Sequence, residues 1–263
     1  MRTRYPFDGE LTVEPSRLSK GVPDDAVARA SRDQQLPALI GALFQPPPAG
    51  IVALLRGSHV VLSLATFAAG LYALRGQRVL LVDAANRTDP YIVSRLALAA
   101  RQDPQPVLSR IHIIRTFTVH QLAGLVFRRL EPFVRERAPG LVILSGATSL
   151  FADDNVPYKE ARWLLREIAT EVKRQADGGC KFLVATADVP VESGRKHLYL
   201  PWLDVASRSI CVNPSTSSGR GVSTGAGQAL IFRQEKPFAG RAEILPTDQL
   251  TAFLGVSPVE PLR

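Results

Sequence analysis

The residues that could carry chemistry in this chain lie in the turns that follow its apolar segments. The first such turn reads Arg56-Gly57-Ser58-His59-Val60. A loop that binds nucleotide phosphates needs several glycines, a lysine for the terminal phosphates and a hydroxyl for magnesium. This turn has one glycine, no lysine, and a valine at the hydroxyl position. We interpret it as a tight turn packed by His59. The alternative is weak phosphate binding by the amides of Gly57 and Ser58.

Three more polar side chains follow later apolar segments. Asp83 and Ser145 each end such a segment, and Asp188 follows another. In a parallel α/β sheet the carboxyl ends of the strands meet at one edge, where ligands bind. The first turn, residues 56–60, is therefore where we expect a ligand to bind in such a fold. A lone acid such as Asp83 is also typical of a helix cap or an arginine partner.

The elements that position these residues follow from the hydrophobic pattern. From Gly50 onward, short apolar strands alternate with helices. The predicted strands are 51–55, 78–83, 111–115, 141–144 and 182–185. The predicted helices are 60–75, 90–101, 119–137 and 157–176. Strands that are apolar throughout and alternate with helices predict a parallel sheet covered on both faces.

The last third of the chain has no predicted helix. Strands are predicted at 207–212, 228–233 and 241–245, and a loop rich in proline, serine, threonine and glycine spans 213–227. Three strands without intervening helices predict an antiparallel extension. The expected fold class is therefore α/β, with a mainly parallel sheet flanked by helices and a C-terminal antiparallel extension.

One large domain with two short flanking segments is expected. Residues 1–49 hold seven of the 20 prolines and predict a proline-rich, partly helical N-terminal arm, with a helix over 24–44 that Pro37 should break or kink. Residues 50–254 are expected to form the core, and residues 255–263 a C-terminal tail.

The hydrophobic pattern also predicts where the protein resides. The sequence starts without an apolar leader, and its longest apolar stretch, 60–74, is shorter than the roughly 20 residues of a membrane span. We therefore expect a buried helix over 60–74, no membrane partner and a cytoplasmic protein. Cys180 and Cys211 lie in apolar runs and predict buried thiols in place of a disulfide framework.

From about Gly50 to Leu254 the order of elements resembles the ATPase core of the RecA/RadA recombinase family. In that family the first loop typically ends Gly-Ser-Gly-Lys-Thr, where this chain has residues 56–60. The next strand of the family ends Asp-Thr-Glu, where this chain has Asp83-Ala84-Ala85. Two later strands of the family end Asp-Ser and Thr-Asn-Gln-Val, where this chain has Ser145-Gly146 and Thr186-Ala187-Asp188-Val189. The last three strands resemble the family's final antiparallel strands.

This resemblance implies a nucleotide site that has lost its catalytic residues. His59 stands in place of the lysine, and Val60 in place of the magnesium-binding threonine. Ser145 replaces a carboxylate near the metal, and Ala85 replaces the acid that polarises water. Asp188 replaces a polar phosphate sensor and would repel a γ-phosphate. Phosphoryl transfer depends on positioning and charge neutralisation, so we expect no ATP hydrolysis, no catalytic residue and no cofactor, with weak ATP binding left open. The implied degenerate site consists of Gly57, Ser58, His59, Asp83, Ser145 and Asp188.

The charge balance suits a polyanionic partner. Lys and Arg total 32 against 24 Asp and Glu, a net charge of +8. Residues 190–241 hold seven cations and three acids. In the recombinases the loop after the Thr-Asn-Gln-Val strand lies along single-stranded DNA, and Arg195, Lys196 and His197 occupy the matching loop. We expect these three residues, and Arg220 in the later loop, to bind DNA. The alternative is a solvated basic surface.

Other chemistry is disfavoured by the residue pattern. None of the four histidines is paired with another at i+4 or flanked by cysteine, so no metal site is expected. The segment 219–225 lacks the glycine spacing of a dinucleotide loop, and no serine lies in a Gly-x-Ser-x-Gly turn.

The resemblance and the lost motifs together predict a non-catalytic accessory or scaffold in DNA repair or recombination. Its partners would be single-stranded DNA and a protein such as a recombinase, a paralogue or a repair polymerase subunit. A DNA-binding protein of this kind would be associated with the nucleoid. Two alternatives stay open: a protein-interaction module without a nucleic-acid role, and a weak, unconventional ATPase.

Overall fold

The computed structural model describes residues 48–152, 156–189, 194–195, 197–214, 229–237 and 239–246. The predicted helix of the N-terminal arm and the predicted C-terminal tail lie outside these residues.

Among the described residues, eight strands form one sheet. They are β1 (Val52–Gly57), β2 (Val79–Asp83), β3 (Ile111–Arg115), β4 (Leu141–Ser145), β5 (Phe182–Ala187), β6 (Arg208–Pro214), β7 (Ala229–Lys236) and β8 (Ala242–Pro246). The described helices are α1 (Val60–Leu74), α2 (Pro90–Ala99), α3 (Pro104–Leu108), α4 (Val119–Arg128), α5 (Leu130–Arg137), α6 (Tyr158–Asp177) and α7 (Leu200–Val205), with a 3-10 turn at Ser149–Ala152.

The strands lie in the order β3-β2-β4-β5-β1-β6-β7-β8. The first six strands of the chain pair in parallel, and β7 and β8 continue the sheet antiparallel. The predicted α/β class and its C-terminal antiparallel strands are therefore confirmed. The prediction was wrong about β6, which pairs in parallel with β1 and antiparallel with β7. The reason is α7, a short helix that carries the chain across the sheet before β6 and that the sequence pattern did not reveal.

Two apolar layers cover the faces of the sheet. On one face, α1 and α2 pack on alternate side chains of the strands, and every residue of α1 except Ser63 is buried. On the other face, α4, α6 and α7 contribute the buried side chains. The apolar stretch 60–74 is thus the central core helix, as predicted. Within the described part of the chain, no helix combines the length and apolar character that crossing a bilayer requires.

The predicted helix over 119–137 is divided in two. α4 ends at Arg128, and α5 begins at Leu130 with Pro132 in its first turn. A proline has no N–H for the helical hydrogen bond but is tolerated in a first turn, so the helix restarts just before it. α5 ends at Arg137, and its C-cap residue Ala138 adopts a left-handed conformation with φ 44°.

Candidate functional site

The sheet brings the sequence-predicted site residues to one edge. Gly57 is the register partner of Ala187 on β5 and of Val212 on β6. Asp83 is the register partner of Ser145. Asp188 follows β5 directly, and its N–H donates to the carbonyl of Gly57 over 2.7 Å. These residues therefore lie along the carboxyl edge of the parallel strands.

The turn between β1 and α1 is closed by its neighbour strand. β1 ends at Gly57 and α1 begins at Val60. The N–H of Ser58 donates to the carbonyl oxygen of Val212 over 2.7 Å. Gly57 has φ +126°, and a Cβ atom on it would overlap the same carbonyl. A close approach of this kind, at this φ, requires glycine. The end of β6 therefore occupies the space against which the turn packs.

This geometry decides between the two interpretations of the turn. A phosphate cradle presents free backbone N–H groups, whereas the Ser58 amide is used within the protein. The hydroxyl of Ser58 is buried without a partner among the described residues. His59 is exposed, so the prediction that it packs the turn is wrong, and Val212 has that role instead. The tight-turn interpretation is the one that the contacts support.

Asp83 organises the loop that follows β2. Its side chain is 0% exposed. Oδ1 accepts from the N–H of Arg87 over 3.1 Å, and Oδ2 accepts from the N–H of Thr88 over 3.0 Å. Arg115 Nε lies 3.9 Å from Oδ2. The interpretation of this acid as an arginine partner is confirmed, while the cap of α2 is Asp89.

Ser145 lies where the loops after β2 and β4 meet. It is buried, and its carbonyl accepts from the N–H of Ala84 over 2.8 Å. The next residue, Gly146, has φ +73° and packs against Ala85 so closely that a Cβ atom would overlap it. The two loops therefore close against each other at the positions where the recombinase resemblance would place the metal carboxylate and the catalytic acid.

Two buried threonines hydrogen-bond to each other at the neighbouring ends of β4 and β5. Thr148 follows β4 and Thr186 lies in β5, and their hydroxyls hydrogen-bond to each other. The hydroxyl of Thr148 also donates to the carbonyl of Ala187 over 3.3 Å. Thr148 was not predicted from the sequence, because its partner is 38 residues away in the chain.

Arg56 holds the end of β5 to β7. Its Nη1 donates to Asp188 Oδ2 over 3.2 Å. Its Nε donates to Glu235 Oε2 over 3.0 Å, and its Nη2 to Glu235 Oε1 over 2.5 Å. The guanidinium carbon lies 4.1 Å from the ring centroid of Tyr199, and Ser209 Oγ donates to Glu235 over 2.8 Å. We call Arg56, Asp188, Tyr199, Ser209 and Glu235 the Arg56 cluster.

The contacts within the Arg56 cluster keep the guanidinium of Arg56 charged beside Asp188 and Glu235. Burial lowers the pKa of Arg56, but the hydrogen bond to Glu235 and the negative charges of Glu235 and Asp188 outweigh it and keep that pKa above its ordinary value. The guanidinium therefore stays charged and neutralises both carboxylates. This cluster was not predicted from the sequence. The available signal was Arg56 itself, a charged residue that extends the otherwise apolar segment 51–55.

The residues predicted to bind DNA differ in their exposure to solvent. Arg195 is 6% exposed. It donates to the carbonyl oxygens of Phe151 over 2.8 Å and Val156 over 2.7 Å. The structure thus gives Arg195 a buried position that ties the loop after β5 to the start of α6, in place of the predicted DNA-facing one. His197 is exposed. Lys196 and Arg220 lie outside the described residues.

Among the residues that the structure describes, no group of three or more histidine, cysteine, aspartate or glutamate side chains could hold a metal ion. The chain matches no protein-family model, and no curated protein matches it. The family resemblance therefore depends on the motifs and the order of elements alone.

Proposed function

We propose that this chain is a non-catalytic RecA/RadA-like protein that serves as an accessory or scaffold in DNA repair or recombination. The observation that carries the proposal is the closed turn after β1, in which Ser58 bonds to Val212 at the position of the family's phosphate loop. A mainly parallel sheet that ends in antiparallel strands supports the same assignment.

The way this edge is filled supports the proposed loss of ATP chemistry. Phosphoryl transfer needs a metal, a cation on the transferring phosphate and a positioned nucleophile. The carboxylates of Asp83 and Asp188 are engaged by Arg115 and Arg56. The turn between β1 and α1 has no lysine, and its Ser58 amide is bonded to Val212. This edge is therefore built to hold the strands together, and a nucleotide would have to displace those contacts.

The scaffold role is supported by large apolar side chains that remain exposed. Tyr91 on α2 and Phe117 after β3 are 70% and 61% exposed. Aromatic residues are enriched in protein interfaces relative to the rest of the protein surface. They also favour the second candidate, a protein-interaction module without a nucleic-acid role. The net charge of +8 favours the nucleic-acid accessory over that alternative.

One preparation of the purified protein tests these candidates. We expect no phosphate release from Mg²⁺·ATP, with or without single-stranded DNA, above that of a His59→Ala variant. His59 is exposed, so this variant should fold normally. We also expect single-stranded DNA binding that weakens steeply with salt. Turnover above the variant would establish the weak ATPase instead, and the absence of DNA binding would leave the interaction module.

A further inference from the structure

The first two turns of α6 present an exposed tryptophan among three cations. Lys159, Arg162, Trp163 and Arg166 line one shallow, open groove. Their spacing places all four on one face of the helix, because residues three and four apart are neighbours. Trp163 is 62% exposed, whereas the other tryptophan, Trp202, is 0% exposed. We call these four residues the α6 patch.

The cations of the α6 patch differ from those farther along the same helix. In the C-terminal half, Lys173 pairs with Asp177, and Arg174 bonds to Glu171 and to Glu131 of α5. Among the residues that the structure describes, none forms a salt bridge with a cation of the α6 patch. No described acidic side chain therefore offsets their charge through a salt bridge.

Acidic side chains flank this face without covering it. Glu160 and Glu167 are exposed and lie three and four residues from Trp163, so they border the patch on one side, while the three cations lie on the other side of Trp163. The opposite face of α6 is buried in the core through residues such as Leu165 and Ile168. The helix is thus held rigidly, and the patch points away from the sheet.

The α6 patch lies near the carboxyl edge of the sheet, where the sequence-predicted site residues are found. The chain leaves the carboxyl end of β4, passes the 3-10 turn Ser149–Ala152 and enters α6 at Tyr158. Arg195 donates to the carbonyl of Val156, so the loop after β5 lies against the start of this helix. That loop also carries the exposed His197.

We propose that the α6 patch binds single-stranded nucleic acid, with Trp163 stacking on a base and Lys159, Arg162 and Arg166 contacting the neighbouring phosphates. Cationic grooves with an aromatic stacking platform are how proteins hold single strands without sequence preference. An acidic peptide would satisfy the cations but would leave the flat face of Trp163 without a matching partner. The inference rests on the proposed function, because it names the surface through which that function contacts DNA.

The first test is the binding of a fluorescein-labelled oligothymidylate of about 20 nucleotides, followed by anisotropy from about 50 to about 200 mM salt. Trp163→Ala should weaken binding at least about fivefold, the lower end of what one base–aromatic stack contributes. The double variant Arg162→Ala/Arg166→Ala should reduce the slope of log affinity against log salt by about 1.4, since each phosphate contact on a single strand contributes about 0.7.

The matched control is Arg128→Ala/Arg129→Ala, which removes two exposed cations where α4 meets α5. This control variant should have an affinity within about twofold of the wild-type value and a salt slope close to that of the wild type. If the wild type binds and the patch variants behave like this control, the patch assignment is wrong while the proposed function stands. If the wild-type protein does not bind the oligonucleotide, both the patch assignment and the proposed function are wrong.

Tryptophan emission provides an independent readout. The exposed Trp163 should be quenched as oligothymidylate is added, whereas emission from the buried Trp202, measured in Trp163→Phe, should not change. A poly-glutamate peptide serves as the probe for an acidic protein partner. Binding of that peptide with loss of affinity in Arg162→Ala/Arg166→Ala, together with no quenching by the oligonucleotide, would overturn the proposal in favour of a protein ligand.

Discussion

The N–H of Ser58 and the carbonyl of Val212 form a hydrogen bond of 2.7 Å that closes the first turn of the sheet onto its sixth strand. The contact explains two features together. It takes up an amide that a phosphate loop would present to its ligand, and it brings β6 so close that position 57 must be glycine. The residues that differ from the recombinase pattern are therefore accompanied by a turn whose backbone is itself used for packing.

Gly57→Ala should destabilise the protein more than the backbone angle alone would require. Gly240 provides the matched comparison, because its φ is +121° and no heavy atom of the described residues lies within 4 Å of the position that a Cβ atom would take there. We expect Gly240→Ala to cost about 1–2 kcal/mol in the free energy of unfolding, the usual cost of a strained backbone position. Gly57→Ala should cost at least about 2 kcal/mol more, because its Cβ overlaps Val212. Urea unfolding measures both, and equal costs would show that β6 does not press on the turn.

The Arg56 cluster should depend on the shape of its guanidinium as well as on its charge. Arg56→Met leaves Glu235 and Asp188 without their partner and should cost about 3 kcal/mol in the free energy of unfolding. Arg56→Lys keeps the charge but loses the bidentate bond and the stacking on Tyr199, and should cost about 1–2 kcal/mol.

The control for this cluster is Arg135→Met, which breaks an exposed pair with Glu131 one helical turn away. We expect a cost below about 0.5 kcal/mol in the same urea experiment. An Arg56→Met cost as small as this control would mean that the cluster contributes nothing to stability.

Asp83→Asn should weaken the loop after β2. Asparagine keeps one acceptor oxygen but turns an N–H₂ group toward the amide of Arg87 or Thr88, and it loses the charge near Arg115. Because the site is fully buried, we expect a cost of about 2 kcal/mol in chemical unfolding. Asp89→Asn is the matched change at the N-cap of α2. Because asparagine caps a helix as well as aspartate, this variant should cost roughly a few tenths of a kcal/mol. Similar costs for the two variants would contradict the structural role given to Asp83.

Tyr72→Phe should stabilise the protein. The Tyr72 hydroxyl is buried without a hydrogen-bond partner among the described residues, and removing such a group should add about 1 kcal/mol to the free energy of unfolding. Burial raises the pKa of Tyr72 to about 12, against a smaller lowering by the charge of Arg75. The ordinary pKa of tyrosine is about 10, so the folded state holds this proton more tightly than the unfolded state.

The sign of the resulting pH dependence follows directly. The contribution of that proton to stability is complete below about pH 10 and is lost as the pH rises from about 10 to about 12. The advantage of Tyr72→Phe over the wild type should therefore grow by about 1 kcal/mol between about pH 9 and about pH 11. Urea unfolding at the two pH values measures the difference, and an advantage that stays constant would place the Tyr72 hydroxyl in contact with water.

The hydrophobic pattern predicted most of the sheet because local sequence controls it. Both ends of β3 and the start of α1 coincide with the predicted ones. The sequence also predicted Asp83 as a candidate arginine partner. Which arginine it meets depends on β3 lying beside β2, and that neighbour relationship is a property of the assembled sheet.

The remaining features depend on contacts between distant parts of the chain. Arg56 and Glu235 are 179 residues apart, and nothing near either residue in the sequence indicates the other. The parallel pairing of β6 depends on α7, whose six residues are too few to show helical periodicity. Arg195 lies in a glycine-containing basic loop that resembles a DNA-binding surface, but two carbonyl oxygens, those of Phe151 and Val156, hold its guanidinium inside the protein.

The most direct test of the central claim is the affinity of the purified protein for fluorescein-labelled oligothymidylate with and without Mg²⁺·ATP. Because the Ser58 amide in the turn after β1 is bonded to Val212, we predict salt-sensitive binding with the same dissociation constant in both conditions. Binding that requires Mg²⁺·ATP, or that tightens about tenfold when it is added, would contradict this claim and restore a working nucleotide site.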